Sequence, residues 1–119
     1  MNKTIEPIDM EELMRIMDED REMIRESVKD FLDWYSELIG SIREAVESGN
    51  ETDLHQSAHK LKSSLIYLAA KPAIDIASAL ENMGKEQDLS AAAHTLNLLE
   101  KECERLKEFI SLRSLASTV

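Results

Sequence analysis

Two histidines and three lysines fall together in HQSAHKLKSSLIYLAAK, residues 55 to 71: His55, His59, Lys60, Lys62 and Lys71. The chain carries 24 Asp and Glu and a formal net charge of −10, yet no carboxylate occurs between Leu54 and Ile74. Imidazole is a good nitrogen nucleophile near neutral pH, because much of it is unprotonated there. A phosphoryl group placed on it needs positive charge close by, and on a helix Lys62 stands one turn on from His59. A carboxylate in that position would repel both the phosphoryl group and an acidic partner. The run therefore has the parts of a phosphoryl-accepting surface: His59 as nucleophile, Lys62 as cation, and small Ser63 and Ser64 that let another protein approach closely.

The same residues admit plainer readings. His55 and His59 are four apart and could share a zinc ion on a helix, but no Cys, Asp or Glu in the window completes a site. His55 is better read as tuning local charge or touching a partner. His94 reads as a solvated residue, Cys103 as an inert thiol on an apolar stripe, and Met10, Met14, Met17 and Met23 as packing for one end of the fold. Ile66 and Tyr67 beside the island are candidates for the apolar rim of a docking surface.

The rest of the chain must position this island. With 119 residues there is one domain, 1–119, and one modest core. Three Gly, two Pro and few aromatics favour helices. Hydrophobic periodicity places helices at about 9–17, 20–48, 51–69, 72–83 and 88–112, with 113–119 a frayed tail. Asp9 is the expected N-cap of the first helix, with Glu12 as its capping-box partner. The second carries Ile24, Val28, Phe31, Tyr35, Leu38, Ile42 and Val46 on one face, with Gly40 as a candidate bend and Gly49 as its C-terminal cap. Asn50 caps the third, whose stripe is Leu54, Ala58, Leu61, Leu65 and Leu68. Pro72 suits the first turn of the fourth, which buries Ala73, Ile76, Ala77 and Leu80 and stops at Gly84. Leu89, Ala92, Leu96, Leu99, Cys103, Leu106 and Ile110 mark the fifth.

Four amphipathic helices with short connections bury their stripes only against one another. The expected fold is all-α, an antiparallel up-and-down four-helix bundle with the short N-terminal helix covering one end. On a wheel of about 100° per residue, Lys62, His55, Ile66 and His59 lie roughly 80°, 100°, 120° and 140° from the third stripe. They therefore share a face turned away from the core, and Ser63 lies beside His59.

His59, Leu61, Lys62 and the small pair Ser63-Ser64 resemble the H-x-L-K-G-[SA] signature of the histidine phosphotransfer (HPt) domain family. The likeness extends through IDMEELMRIMDEDREMIRESVKDFLDWYSELIGSIREAVESGNETDLHQSAHKLKSS. The later ALENMGKEQDL is similar to the family's LE-x-x-G segment between its last two helices. Two departures are Ser63 and Ala69, where the family usually has glycine. The resemblance implies relay of a phosphoryl group between the aspartates of receiver domains in a two-component phosphorelay. His59 would be the phosphoacceptor and Lys62 the charge-stabilising residue, while His55, Ser63, Ser64, Ile66 and Tyr67 contact the partner. It implies response-regulator receiver domains and a hybrid sensor histidine kinase as partners. No cofactor is expected in this chain, and Mg²⁺ is expected on the partner receiver.

Other classes fit less well. A kinase would need a phosphate-binding Gly-rich loop and a nucleotide domain, and the chain has neither. A non-catalytic receiver-binding scaffold is the alternative to a relay, and it would tolerate loss of His59. The acidic balance excludes a basic nucleic-acid-binding stripe and disfavours an anionic membrane surface. The longest apolar run, LIYLAA, is too short to span a bilayer. A single cysteine and an acidic N-terminus without an apolar signal core point to a cytoplasmic protein. A complete seam within one chain points to a monomer.

Overall fold

The computed structural model describes residues 5–117 and contains five helices and no strand among them. They are α1 (Met10–Ile16), α2 (Arg21–Ser48), α3 (Glu51–Tyr67), α4 (Lys71–Lys85) and α5 (Ala92–Leu112). Helices α2 to α5 form the bundle: α3 lies between α2 and α4, and α5 closes the ring against α4 and α2. Short turns between consecutive helices make each antiparallel to the next.

Three of the five helix starts, those of α1, α2 and α3, follow side-chain capping chemistry. The Asp9 carboxylate accepts from the Glu12 N–H at 3.0 Å, Asp20 from Met23 at 3.1 Å and Asn50 from Asp53 at 3.0 Å. The reciprocal arm of a capping box is not formed at Asp9. Its N–H instead donates to the Ala69 carbonyl at 3.0 Å, and the Glu12 side chain pairs with Arg15. That backbone bond, with the Lys71–Asp9 ion pair at 3.0 Å, fastens α1 over the α3–α4 turn. Ile8, Leu13 and Met17 are buried beneath it, whereas Met23 faces solvent.

The core is aliphatic. The α3 stripe of Leu54, Ala58, Leu61, Leu65 and Leu68 is entirely buried. On α2 the buried face runs Ile24, Val28, Phe31, Tyr35, Ile39, Ile42 and Ala45, so Leu38 and Val46 sit at its margin rather than in it. A spacing that averages about 3.5 residues drifts around a 3.6-residue helix, and over 28 residues the drift exchanges neighbours. The helix continues through Gly40 and ends at Gly49 with φ of 69°, the left-handed cap glycine favours.

The expected limits of α3, α4 and α5 are corrected. Helix α3 ends at Tyr67 because Ala69 takes a left-handed φ of 52°. There the Ala70 N–H reaches the Leu65 carbonyl and the Ala69 N–H that of Ile66, a Schellman closure. Helix α4 begins at Lys71, with Pro72 inside its first turn, and runs past Gly84 to Lys85. Helix α5 starts at Ala92, not Asp88, because the Asp88 carboxylate closes a local turn with the N–H and hydroxyl of Ser90. In the expected tail, residues 113 to 117 continue the chain in turns, with backbone bonds from Ser114 to Ser111 and from Leu115 to Ile110, and Leu115 packs on the core. Residues 118 and 119 lie outside the described part.

Candidate functional site

The site is built by α3 and α4 together. The crossing is set at Gly84, where a Cβ would stand 2.6 Å from the Glu51 carbonyl oxygen and 2.7 Å from the His55 backbone nitrogen. No side chain fits there, so glycine lets α4 lie against the α3 backbone. One turn before Gly84 on the same face, Glu81 is thereby carried over the histidines of α3.

Glu81 ties the cluster together. Its carboxylate accepts from Lys62 Nζ at 2.7 Å and stands 3.3 Å from His59 Nδ1. Its backbone carbonyl stands 3.2 Å from His55 Nδ1. Each imidazole thus faces a group that can only accept, so in its neutral form each ring places its proton on Nδ1 and leaves Nε2 with a lone pair. The His59 side chain is 59% exposed, whereas that of Glu81 is only 14% exposed and that of Lys62 22%. Nε2 of His59 lies on an open ring whose other edge faces Glu81.

The electrostatics follow from that burial. Burial pushes the Glu81 carboxyl up, but hydrogen bonds from Lys62 and His59 and the nearby Lys62 charge outweigh it. The group is held below its ordinary value and stays ionised. The island free of acids along the sequence is therefore not free of acids in space, because α4 supplies the carboxylate that α3 lacks.

The remaining site residues divide by face. Ser63 is exposed, and its hydroxyl donates to the His59 carbonyl at 3.1 Å, so it is already engaged on its own helix. Ser64 is half-buried. Ile66 and Tyr67 are exposed and continue the surface toward the end of α3. His55 and Lys62 do not turn fully outward as the helical wheel implies. Both are half-buried because α4 covers that side of α3. Among the described residues, no group of three or more His, Cys, Asp or Glu side chains is placed to hold a metal ion. His94 is exposed, and Cys103 is buried with its thiol pushed up to about 12 by desolvation, then by Glu102 and Glu104.

Sequence reasoning missed Glu81. Its signal was present in ALENMG, where Leu80 is a core position and Gly84 lies at the crossing, which places Glu81 on the shoulder of α4 beside α3. Reading Gly84 as a helix stop hid it.

No helix among the described residues is long and apolar enough to cross a membrane. The family model described as "Hpt domain" matches residues 26–109, from within α2 to within α5. No curated protein and no solved structure matches the chain significantly. An all-helical bundle, with that match over most of its length, makes this chain a member of the Hpt domain family, which serves histidine phosphotransfer in phosphorelays.

Proposed function

We propose that this protein relays a phosphoryl group between receiver-domain aspartates through Nε2 of His59. The observation that carries the reading is the pairing of an exposed imidazole, its Nδ1 held by Glu81, with Lys62 in the same cluster. In the accepting step the Nε2 lone pair forms the N–P bond as the P–O bond of an aspartyl phosphate breaks. The electron pair of that bond goes to the aspartate carboxylate. Nε2 has no proton to lose; the ring keeps its proton on Nδ1 as the N–P bond forms and is then cationic. That proton passes to solvent where the phosphorylated ring becomes neutral and returns before the reverse step. The reverse step returns the phosphoryl group to a second aspartate, and His59 leaves as neutral imidazole.

Lys62 neutralises charge on the transferred group, while positioning of the two reacting atoms supplies most of the acceleration. Ile66, Tyr67, Ser63, Ser64 and the edge of His55 form the docking surface for the receiver. Mg²⁺ belongs to the receiver and not to this chain. Phosphoryl groups reach the pathway from a hybrid sensor histidine kinase, and the relay works as a monomer in the cytoplasm. A core closed within one chain and a single buried cysteine support that setting.

The test is phosphoryl transfer from a radiolabelled, phosphorylated receiver to the wild-type protein and to His59→Gln. Acid-labile, base-stable label on wild type alone is the expected result. Receiver binding with label on neither protein would replace the relay with a scaffold.

A further inference from the structure

Lys62 already has a partner. Its ammonium lies 2.7 Å from Glu81 Oε2, and only 14% of the Glu81 side chain is exposed, which weakens screening by water. Before phosphorylation the Glu81–Lys62 pair is balanced, one carboxylate against one ammonium. A phosphoryl group adds about −1.5 to −2 at neutral pH, and no second cation contacts the cluster among the described residues. Lys62 must then divide itself between the phosphoryl oxygens and Glu81, while the two anions face each other across one imidazole ring. The held-down Glu81 carboxyl does not relieve this by taking a proton near neutrality.

We propose that Glu81 sets the direction of phosphoryl flow: by repelling the phosphoryl group and competing for Lys62, it keeps phosphohistidine at His59 high in energy and drives the group onto the receiver aspartate. This rests on the relay reading, and it assigns the site to delivery rather than storage. One opposing effect acts at lower pH. A protonated phosphohistidine ring would be attracted to Glu81, which favours the phosphorylated state. That attraction fades well above the ordinary imidazole value of about 6.5, whereas the repulsion does not.

The experiment is the equilibrium ratio of phosphohistidine to phosphoaspartate, measured at pH 8.5 with a receiver domain that labels wild-type His59. Wild type, Glu81→Gln and Glu81→Asp are compared. The glutamine variant keeps an acceptor for Nδ1–H and the volume of the side chain but removes the charge. The expected result is a ratio about tenfold higher for Glu81→Gln, the scale of one charge interaction in a partly screened site, with Glu81→Asp close to wild type. A ratio unchanged or lowered in Glu81→Gln, with label still on His59, overturns the assignment and leaves the relay standing. Absence of label on wild-type His59 across receivers that bind overturns both. A merely structural role for Glu81 would lower transfer to His59 in Glu81→Gln, the opposite of the predicted gain.

Discussion

Gly84 of α4 and His55 of α3 touch through their backbones, so closely that a Cβ at residue 84 would sit 2.7 Å from the His55 nitrogen and 3.0 Å from its Cα. The obstruction is main chain and cannot rotate away. In Gly84→Ala the gain in helix propensity, about 1 kcal/mol, is opposed by an overpacking cost of about 1–3 kcal/mol. Contact with backbone puts this position at the upper end of that range. The variant is expected to unfold at lower urea concentration. Because α4 must move off α3, Glu81 should also lose its bonds to His59 and Lys62. The His59 ring resonances read this second effect, and a variant less stable but with unchanged ring resonances would uncouple the crossing from the site.

This crossing also shows what was legible from the chain alone and what was not. The α3 stripe, the caps at Asp9 and Asn50 and the bundle itself follow from local periodicity and side-chain chemistry, which act within a few residues. The contact of Glu81 with His59 spans 22 residues and depends on how closely two backbones approach. A glycine inside a helix signals such an approach no more strongly than it signals a helix end. The same ambiguity moved the ends of α3 and α4: the left-handed residues there are Ala69 and Gln87, not glycines. Their side chains carry no marker of that conformation. The orientation of His55 and Lys62 was misjudged for a related reason, since a wheel drawn for one helix cannot show the neighbour that covers its shoulder.

Those left-handed positions make a contrasting pair. An L-residue with positive φ costs roughly 1–2 kcal/mol, part of which a glycine returns as backbone entropy. Gln87, at φ of 58°, is exposed and loses no packing when truncated. Gln87→Gly is expected to stabilise the protein by about 0.5–1 kcal/mol. Ala69 has a similar φ, but its methyl group is buried, and removing it gives up about 0.8 kcal/mol of burial. Ala69→Gly should therefore gain less than Gln87→Gly. Midpoints of urea unfolding rank the two, and the opposite order would contradict the argument.

Tyr67 and Ile66 are large apolar side chains left 63% and 48% exposed beside the histidine surface. Aromatic anchors of this kind carry a large share of binding energy where a partner desolvates them. Tyr67→Ala is expected to weaken binding to a receiver that accepts from His59 by about 1–2 kcal/mol, and Ile66→Ser by about 1 kcal/mol. Folding stability should change little, because neither side chain packs in the core. Titration calorimetry on the two variants reads the effect. Undiminished affinity in both would move the docking surface elsewhere on the bundle.

Removing the Lys62 ammonium while keeping its apolar stem, in Lys62→Met, leaves the enclosed Glu81 carboxylate with only His59. A hydrogen bond to a charged group contributes about 1.5–3 kcal/mol, and Lys62 keeps some contact with water, so a loss near the lower figure is expected at pH 7. The pH dependence follows from the direction of the Glu81 shift. In the wild-type fold Glu81 lies below its ordinary value of 4.5. Its contribution is therefore complete above that value and is lost as pH falls through the lower folded value. The stability gap between wild type and Lys62→Met should be constant from neutral pH down to about pH 5 and close progressively in more acid solution. Unfolding curves at pH 7, 5, 4 and 3 read it directly. A gap that widens on acidification would mean that Glu81 is not the group Lys62 holds ionised.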